Sequence, residues 1–133
     1  MRVIVTGSRD WPDWGAVCRA LDLALTIAQD WGQPLTVVHG GCETGADAMA
    51  AAWVRIMRDD LDMPVIERTF EAEWERFGKR AGPMRNRRMI EAGADYVIAF
   101  NLNDSRGTSG TIALAEAAGI PVVRFDMGDK EAA

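Results

Sequence analysis

Four short runs of β-branched and aromatic residues constrain this chain more than anything else in it: Val3-Ile4-Val5, Leu35-Thr36-Val37-Val38, Tyr96-Val97-Ile98-Ala99-Phe100 and Val122-Val123-Arg124-Phe125. Each is nearly continuous in hydrophobicity rather than alternating, as expected of strands buried on both faces of a parallel sheet. A fifth run, Pro64-Val65-Ile66-Glu67-Arg68, is weaker and reads as an edge strand. Helical spacings fill the gaps. From Trp14 the apolar positions are Val17, Cys18, Leu21, Leu25 and Ala28; from Ala46 they are Met49, Ala50, Trp53, Met57 and Leu61. A third helix should follow Gly82-Pro83, carrying Met84, Met89 and Ile90, because proline is favoured in a first helical turn. A fourth should run from about Ser109 to Ala118 and stop at Gly119. Strands alternating with helices predict one doubly wound α/β domain over residues 1–127, with a mostly parallel sheet of about five strands. Residues 128–133 read as a flexible tail.

Such a fold needs one core, and 133 residues with 48% hydrophobic side chains suffice for one and not for two. No apolar run approaches the roughly 18–20 residues that span a bilayer, and the apolar stretch after Met1 is too short for a signal peptide. Cys18 and Cys42 form neither a disulfide framework nor a zinc spacing. The expected location is cytoplasmic. No Asp/Glu/His cluster has metal spacing, so neither a metal nor a cofactor is expected.

The net charge is −5, but it is unevenly spread. Arg76, Lys79, Arg80, Arg85, Arg87 and Arg88 fall in one stretch without an acidic residue, leaving nine basic against 20 acidic residues, a net −11, elsewhere. One short basic element on an acidic body suits a small anionic ligand better than a long polyanion. The alternative is a merely solvated helix face.

Ligands of open α/β sheets bind outside the carboxyl ends of the strands, so the loops there carry the functional reading. After the first strand, Gly7-Ser8-Arg9 offers close backbone approach and two donors for phosphate. Trp11 either stacks on a base or packs into the core. After the second strand, Gly40 and Gly45 have the spacing of a phosphate loop, but Ala46-Asp47 replaces the Lys-Ser/Thr that a nucleoside triphosphatase needs. What survives is a glycine-rich turn, with Gly41 and Thr44, feeding a helix N-terminus. His39 reads as a structural histidine, and Cys42 has no base beside it in sequence. After the fourth strand, Gly107-Thr108-Ser109-Gly110-Thr111 brings hydroxyls and bare amides to a helix start. The dinucleotide fingerprint of an ordinary dehydrogenase is missing from the first loop.

Taken in order, several motifs resemble the YspA-type, cpYpsA-related branch of the SLOG superfamily. They are Val5-Thr6-Gly7-Ser8-Arg9-Asp10-Trp11, His39-Gly40-Gly41, Thr44-Gly45-Ala46-Asp47, Gly78-Lys79, Ala81-Gly82-Pro83-Met84-Arg85-Asn86-Arg87 with Met89, Ser109-Gly110-Thr111 and Ala118-Gly119-Ile120-Pro121-Val122. The superfamily includes the LOG phosphoribohydrolases and the DNA-processing protein DprA. The resemblance implies a Rossmann-like fold that binds nucleotides or NAD-derived compounds, often as an oligomer. Met84-Arg85-Asn86-Arg87-Arg88 is similar to the Met-x-x-Arg-Lys motif of LOG enzymes. Their Pro-Gly-Gly-x-Gly-Thr-x-x-Glu loop ends in a glutamate that takes part in glycosidic cleavage, and Leu114 stands there in this chain.

Three functions follow as expectations. The first is a sensor or sequestering domain for a nucleotide or NAD-derived small molecule, without membrane or nucleic-acid partners. In it Arg85, Asn86 and the 107–111 loop hold phosphate, Gly40, Gly41 and Gly45 accommodate the ribose-phosphate, and Ser8 and Arg9 close the site; Arg85→Ala should then weaken binding about tenfold without unfolding. The second is an N-glycosidic enzyme acting on a nucleotide, whose carboxylate would come from Asp47, Asp104 or Glu116. The third is a DprA-like binder of single-stranded DNA.

Overall fold

The computed structural model describes residues 1–128. The expected strands and helices alternate, with one short helix, α3, added: β1 (Arg2–Gly7), α1 (Trp14–Asp30), β2 (Leu35–His39), α2 (Gly45–Arg55), β3 (Val65–Thr69), α3 (Trp74–Phe77), α4 (Ala81–Glu91), β4 (Tyr96–Leu102), α5 (Arg106–Ala117) and β5 (Val122–Met127). All strand pairs are parallel, in the order β3-β2-β1-β4-β5. The chain winds outward from β1 to one edge, crosses over, and winds from β4 to the other. The result is a Rossmann-like doubly wound sheet whose strand order reverses between β1 and β4.

Side chains of a strand alternate between faces, and the core divides accordingly. Val3, Val5, Val37, Ile98 and Phe100 pack with Val17, Leu21, Ala50 and Trp53 of α1 and α2. Ile4, Val38 and Val97 pack with Met89, Ile90 and Ala115 of α4 and α5. Trp53 reaches Asp22 Oδ1 with its indole N–H at 2.9 Å, so a large ring is buried without an orphan donor. Among the described residues no helix is long and apolar enough to cross a membrane.

The run Val122–Phe125 departs from its expected double burial. β5 pairs with β4 alone, and Val123 is 45% exposed. Phe125 is half-buried because its ring stacks on Phe100, with centroids 5.1 Å apart. An outermost strand and an inner one share the same apolar composition, and periodicity alone does not separate them. The weak run around Val65 does form the opposite edge.

Element ends also shift. α2 closes at Arg55 into a π-turn over Ile56–Asp60, with Leu61 N–H bonded to the Ile56 carbonyl at 3.1 Å. The wider turn breaks the 3.6-residue phase, so Leu61 is exposed rather than on the apolar face. α4 begins at Ala81, so Gly82 and Pro83 lie inside its first turn, where a missing N–H is harmless. β4 runs to Leu102 and α5 starts at Arg106, which draws Asn101 into the strand and Gly107 and Thr108 into the helix. Of the expected 128–133 tail, all but Gly128 lies outside the described residues.

Candidate functional site

A cleft of about 840 Å³ opens where β1 and β4 end, at the reversal of strand order. Its floor is built from Val5, Thr6 and Gly7 of β1 and Leu102 of β4; Gly82, Pro83, Asn86 and Met89 of α4 form one wall. Arg106, Gly107, Thr108, Gly110 and Leu114 of the neighbouring α5 form another. Gly40, Cys42 and Asp47, from β2's loop and α2, close the back, and Trp74 and Lys79 stand at the mouth. Four cationic side chains line it (Arg9, Lys79, Arg85 and Arg106) against two carboxylates, Asp10 and Asp47.

The three loops are knitted to each other. Ser8 Oγ accepts the Leu102 N–H at 3.0 Å and donates to Ser105 Oγ at 2.9 Å, which in turn donates to Thr108 Oγ1 at 2.8 Å. Asn101, 1% exposed, accepts the Ser105 N–H on Oδ1 and donates to Ser109 Oγ. The Ser8 and Ser105 hydroxyls thus fix the loops. Ser105 precedes α5 yet makes no capping bond to it. By helix geometry the first-turn N–H groups of α5 have no intrahelical acceptor, and this end faces the cleft.

The glycines of the cleft divide by what surrounds them. A Cβ on Gly7 would run into Ala46, and one on Gly40 into the Arg85 guanidinium. Gly45 has φ of +72°, and a Cβ there would meet the backbone of Ser8 and Arg9. These positions serve close approach of one part of the protein to another. Gly107 and Gly110 have nothing within 4 Å of a built Cβ, and both line the cleft. They leave the open space to something else.

Arg85 is 8% exposed; its Nη1 donates to the Gly40 carbonyl and, at 3.4 Å, to that of Phe70, and its Nε donates to Asn86 Oδ1 at 2.7 Å. It therefore ties α4 to the β2 and β3 loops while lining the cleft. Arg87 and Arg88 are exposed elsewhere, Arg88 reaching the Glu71 carbonyl. Among the carboxylates named from the sequence, Asp47 faces the cleft, 6% exposed, and accepts the Cys42 N–H at 3.3 Å. Asp104 points to solvent near Arg124, and Glu116 is exposed on α5; neither lines the cleft. Gly41 and Thr44 line a neighbouring recess, whereas Gly45, Ser109 and Thr111 line neither. The Thr111 hydroxyl, fully buried, bonds back to the Gly107 carbonyl.

Trp11 takes the core alternative: it is 3% exposed, its ring lies 5.3 Å from Phe100, and its N–H bonds the Asp13 carbonyl. The aromatic ring at the cleft is Trp74, 47% exposed, with the Arg9 guanidinium 5.8 Å over its ring. Sequence reasoning missed it because α3 has only four residues and no periodicity to read. His39 is structural: Nδ1 accepts the Gly41 N–H at 3.0 Å, so Nε2 holds the proton that bonds Glu67 at 2.8 Å. Burial pushes the Cys42 thiol up and Asp47 adds to this, against the opposing pull of Arg85 and Arg9. That environment keeps the sulfur protonated and is the reverse of what a nucleophilic cysteine requires.

A family model described as the YspA, cpYpsA-related SLOG family matches residues 1–77, from β1 through α3. The chain belongs to this family. The matched span holds the Ser8-Arg9 loop, the Gly40–Asp47 turn and Trp74. The similarity extends further in one relative, the Gene 61 protein of Mycobacterium phage D29, which is 44% identical over 129 residues, 97% of this chain and 98% of its own length. That stretch necessarily includes α4 and most or all of α5, which supply the other two walls of the cleft.

Proposed function

We propose that this SLOG-family protein binds a phosphate-bearing small molecule derived from a nucleotide, in the cleft at the carboxyl edge of the sheet. The observation that carries the reading is the first turn of α5. It opens onto the cleft at Gly107, with Gly110 three residues on and empty space before both, and is flanked by Arg106, with Lys79 on the same lining. Unpaired N–H groups, the positive end of a helix dipole and exposed cations suit a phosphate, and apolar walls from Met89, Leu102 and Leu114 suit a base or ring beside it. Family membership supports a nucleotide-related role.

Binding without turnover is the preferred form. Leu114 lines the cleft at the position where the LOG motif, by resemblance, carries its glutamate. A methyl-bearing side chain there neither activates water nor stabilises a ribosyl cation. One observation favours the second reading, an N-glycosidic enzyme: Asp47 is a buried carboxylate on the cleft wall.

The test is a panel of nucleoside monophosphates, NAD, ADP-ribose and cyclic nucleotides, incubated with the protein, ultrafiltered and analysed by mass spectrometry. Retention of an unchanged compound supports the binding reading. Release of a free base, abolished in Asp47→Asn, establishes the enzyme instead. A retained ligand at about 100 times its Kd adds roughly 2.7 kcal/mol to stability, so a thermal shift of several degrees accompanies it.

A further inference from the structure

Among the described residues β5 pairs with β4 alone, so one row of its backbone groups has no strand beside it. The bonds at its two ends show which row. The Pro121 carbonyl accepts the Val97 N–H at 2.9 Å, and the Met127 carbonyl accepts the Asn103 N–H at 2.8 Å. Successive residues of a strand turn their amides and carbonyls to alternate sides, so those of Val122, Arg124 and Asp126 point outward, a template for another strand. The side chains are sorted as well. Val123, Phe125 and Met127 lie on the α1 face of the sheet, Val123 exposed and the other two partly buried. Arg124 and Asp126 project from the other face, both exposed, with Arg124 Nη2 donating to Asp126 Oδ1 at 2.9 Å and lying 3.9 Å from Asp104.

Val123-Arg124-Phe125-Asp126-Met127 reads the same in both directions, apolar alternating with charged, and its two charges are of opposite sign. Residues opposite each other in an antiparallel pair share a face, so a strand meets its own copy only in registers centred on a residue. Centring on Arg124 or on Asp126 sets like charges opposite. Only centring on Phe125 sets Arg124 opposite the partner's Asp126, twice by symmetry, with Phe125 against itself and Val123 against the partner's Met127. In that register the outward amides and carbonyls of Arg124 and the partner's Asp126 exchange hydrogen bonds, and the phenylalanines form a close, non-hydrogen-bonded pair. β3, the opposite edge, has no such register. Glu67 and Arg68 are neighbours there and point to opposite faces, and Glu67 is already bonded to His39. We propose that two copies of this chain pair through β5, antiparallel about a two-fold axis at Phe125, and so join their five-stranded sheets into one.

Sedimentation equilibrium of the full chain tests this with two charge reversals, Arg124→Asp and Asp126→Arg. Wild type should sediment at twice the chain's mass. Each reversal sets like charges opposite at both rungs and should weaken the dimer at least about tenfold. Both residues are exposed, so the fold is not at risk, and thermal denaturation of each variant checks it. The deciding sample is an equimolar mixture of the two variants. One strand then carries two arginines and the other two aspartates, every rung is again an unlike pair, and the mixture should dimerise as tightly as wild type. No repair within a single chain produces that result. A wild type that stays monomeric at every concentration reached overturns the proposal and leaves the edge to a strand from another protein. Reversals that dimerise like wild type move the contact to another face, and a mixture as weak as its components rules out the Phe125 register; either overturns it too.

Discussion

At the residue scale, the glycine-rich turn after β2 shows how one composition serves two ends. Gly40 exists for Arg85: a methyl there would overlap the guanidinium that holds the Gly40 and Phe70 carbonyls. Gly40→Ala should therefore cost about 1–3 kcal/mol of stability, the usual penalty of forced overpacking. Urea denaturation checks it, and an unchanged midpoint would show that the arginine moves aside without loss. The same bonds amend the expectation for Arg85→Ala, since removing a buried, bonded guanidinium destabilises the protein as well as the site. A second prediction concerns Cys42. Its raised pKa favours the protonated thiol in the folded state, so this contribution to stability is present below the ordinary thiol range and lost as pH rises through the raised value. Asp47→Asn removes a charge and a hydrogen bond that both raise the pKa, and the pH–rate profile of Cys42 alkylation should shift to lower pH. A profile that does not move would mean burial alone governs the sulfur.

At the element scale, α5 makes a prediction in which stability and binding move in opposite directions. Gly107→Asp adds a carboxylate in the first turn, replaces a poor helix former, and meets empty space. The helix dipole and propensity should together raise stability by roughly 0.3–1 kcal/mol. The same carboxylate occupies and repels the place of the phosphate, so affinity should fall at least about tenfold. Thermal denaturation and ligand titration on one sample read both. Lowered stability with unchanged affinity would remove α5 from the site.

This element also shows what the sequence could and could not carry. Gly107 to Thr111 announced a helix start with bare amides, because glycine and hydroxyl side chains cluster where a chain turns. The start itself is Arg106, three residues before the expected Ser109, since glycine in a first turn breaks nothing. The buried strands β1, β2 and β4 were legible from β-branched runs, but β5 was not recognisable as an edge: its neighbours are set by long-range pairing, which no local pattern records. For the same reason the sequence left Trp11 open between core and ligand and passed over Trp74, which sits at the start of a four-residue helix.

At the scale of the whole molecule, charge decides what kind of anion the cleft accepts. A protein that tracks single-stranded DNA needs a positive groove continuing past one nucleotide, with aromatic steps along it. Here four cations, Arg9, Lys79, Arg85 and Arg106, line one cleft of a chain with net charge −5. The path out of the cleft past Trp74 meets Glu43 and Glu71. A second phosphate run along that path would face two carboxylates instead of lysines. A fluorescent oligothymidylate should accordingly show no rise in anisotropy at micromolar protein, even near about 50 mM salt, where phosphate tracking is strongest. Neither should it compete with a bound small ligand. Binding that falls about 0.7 in log K per log salt for each of several phosphates would reverse this conclusion, because only a groove longer than the cleft releases that many counterions.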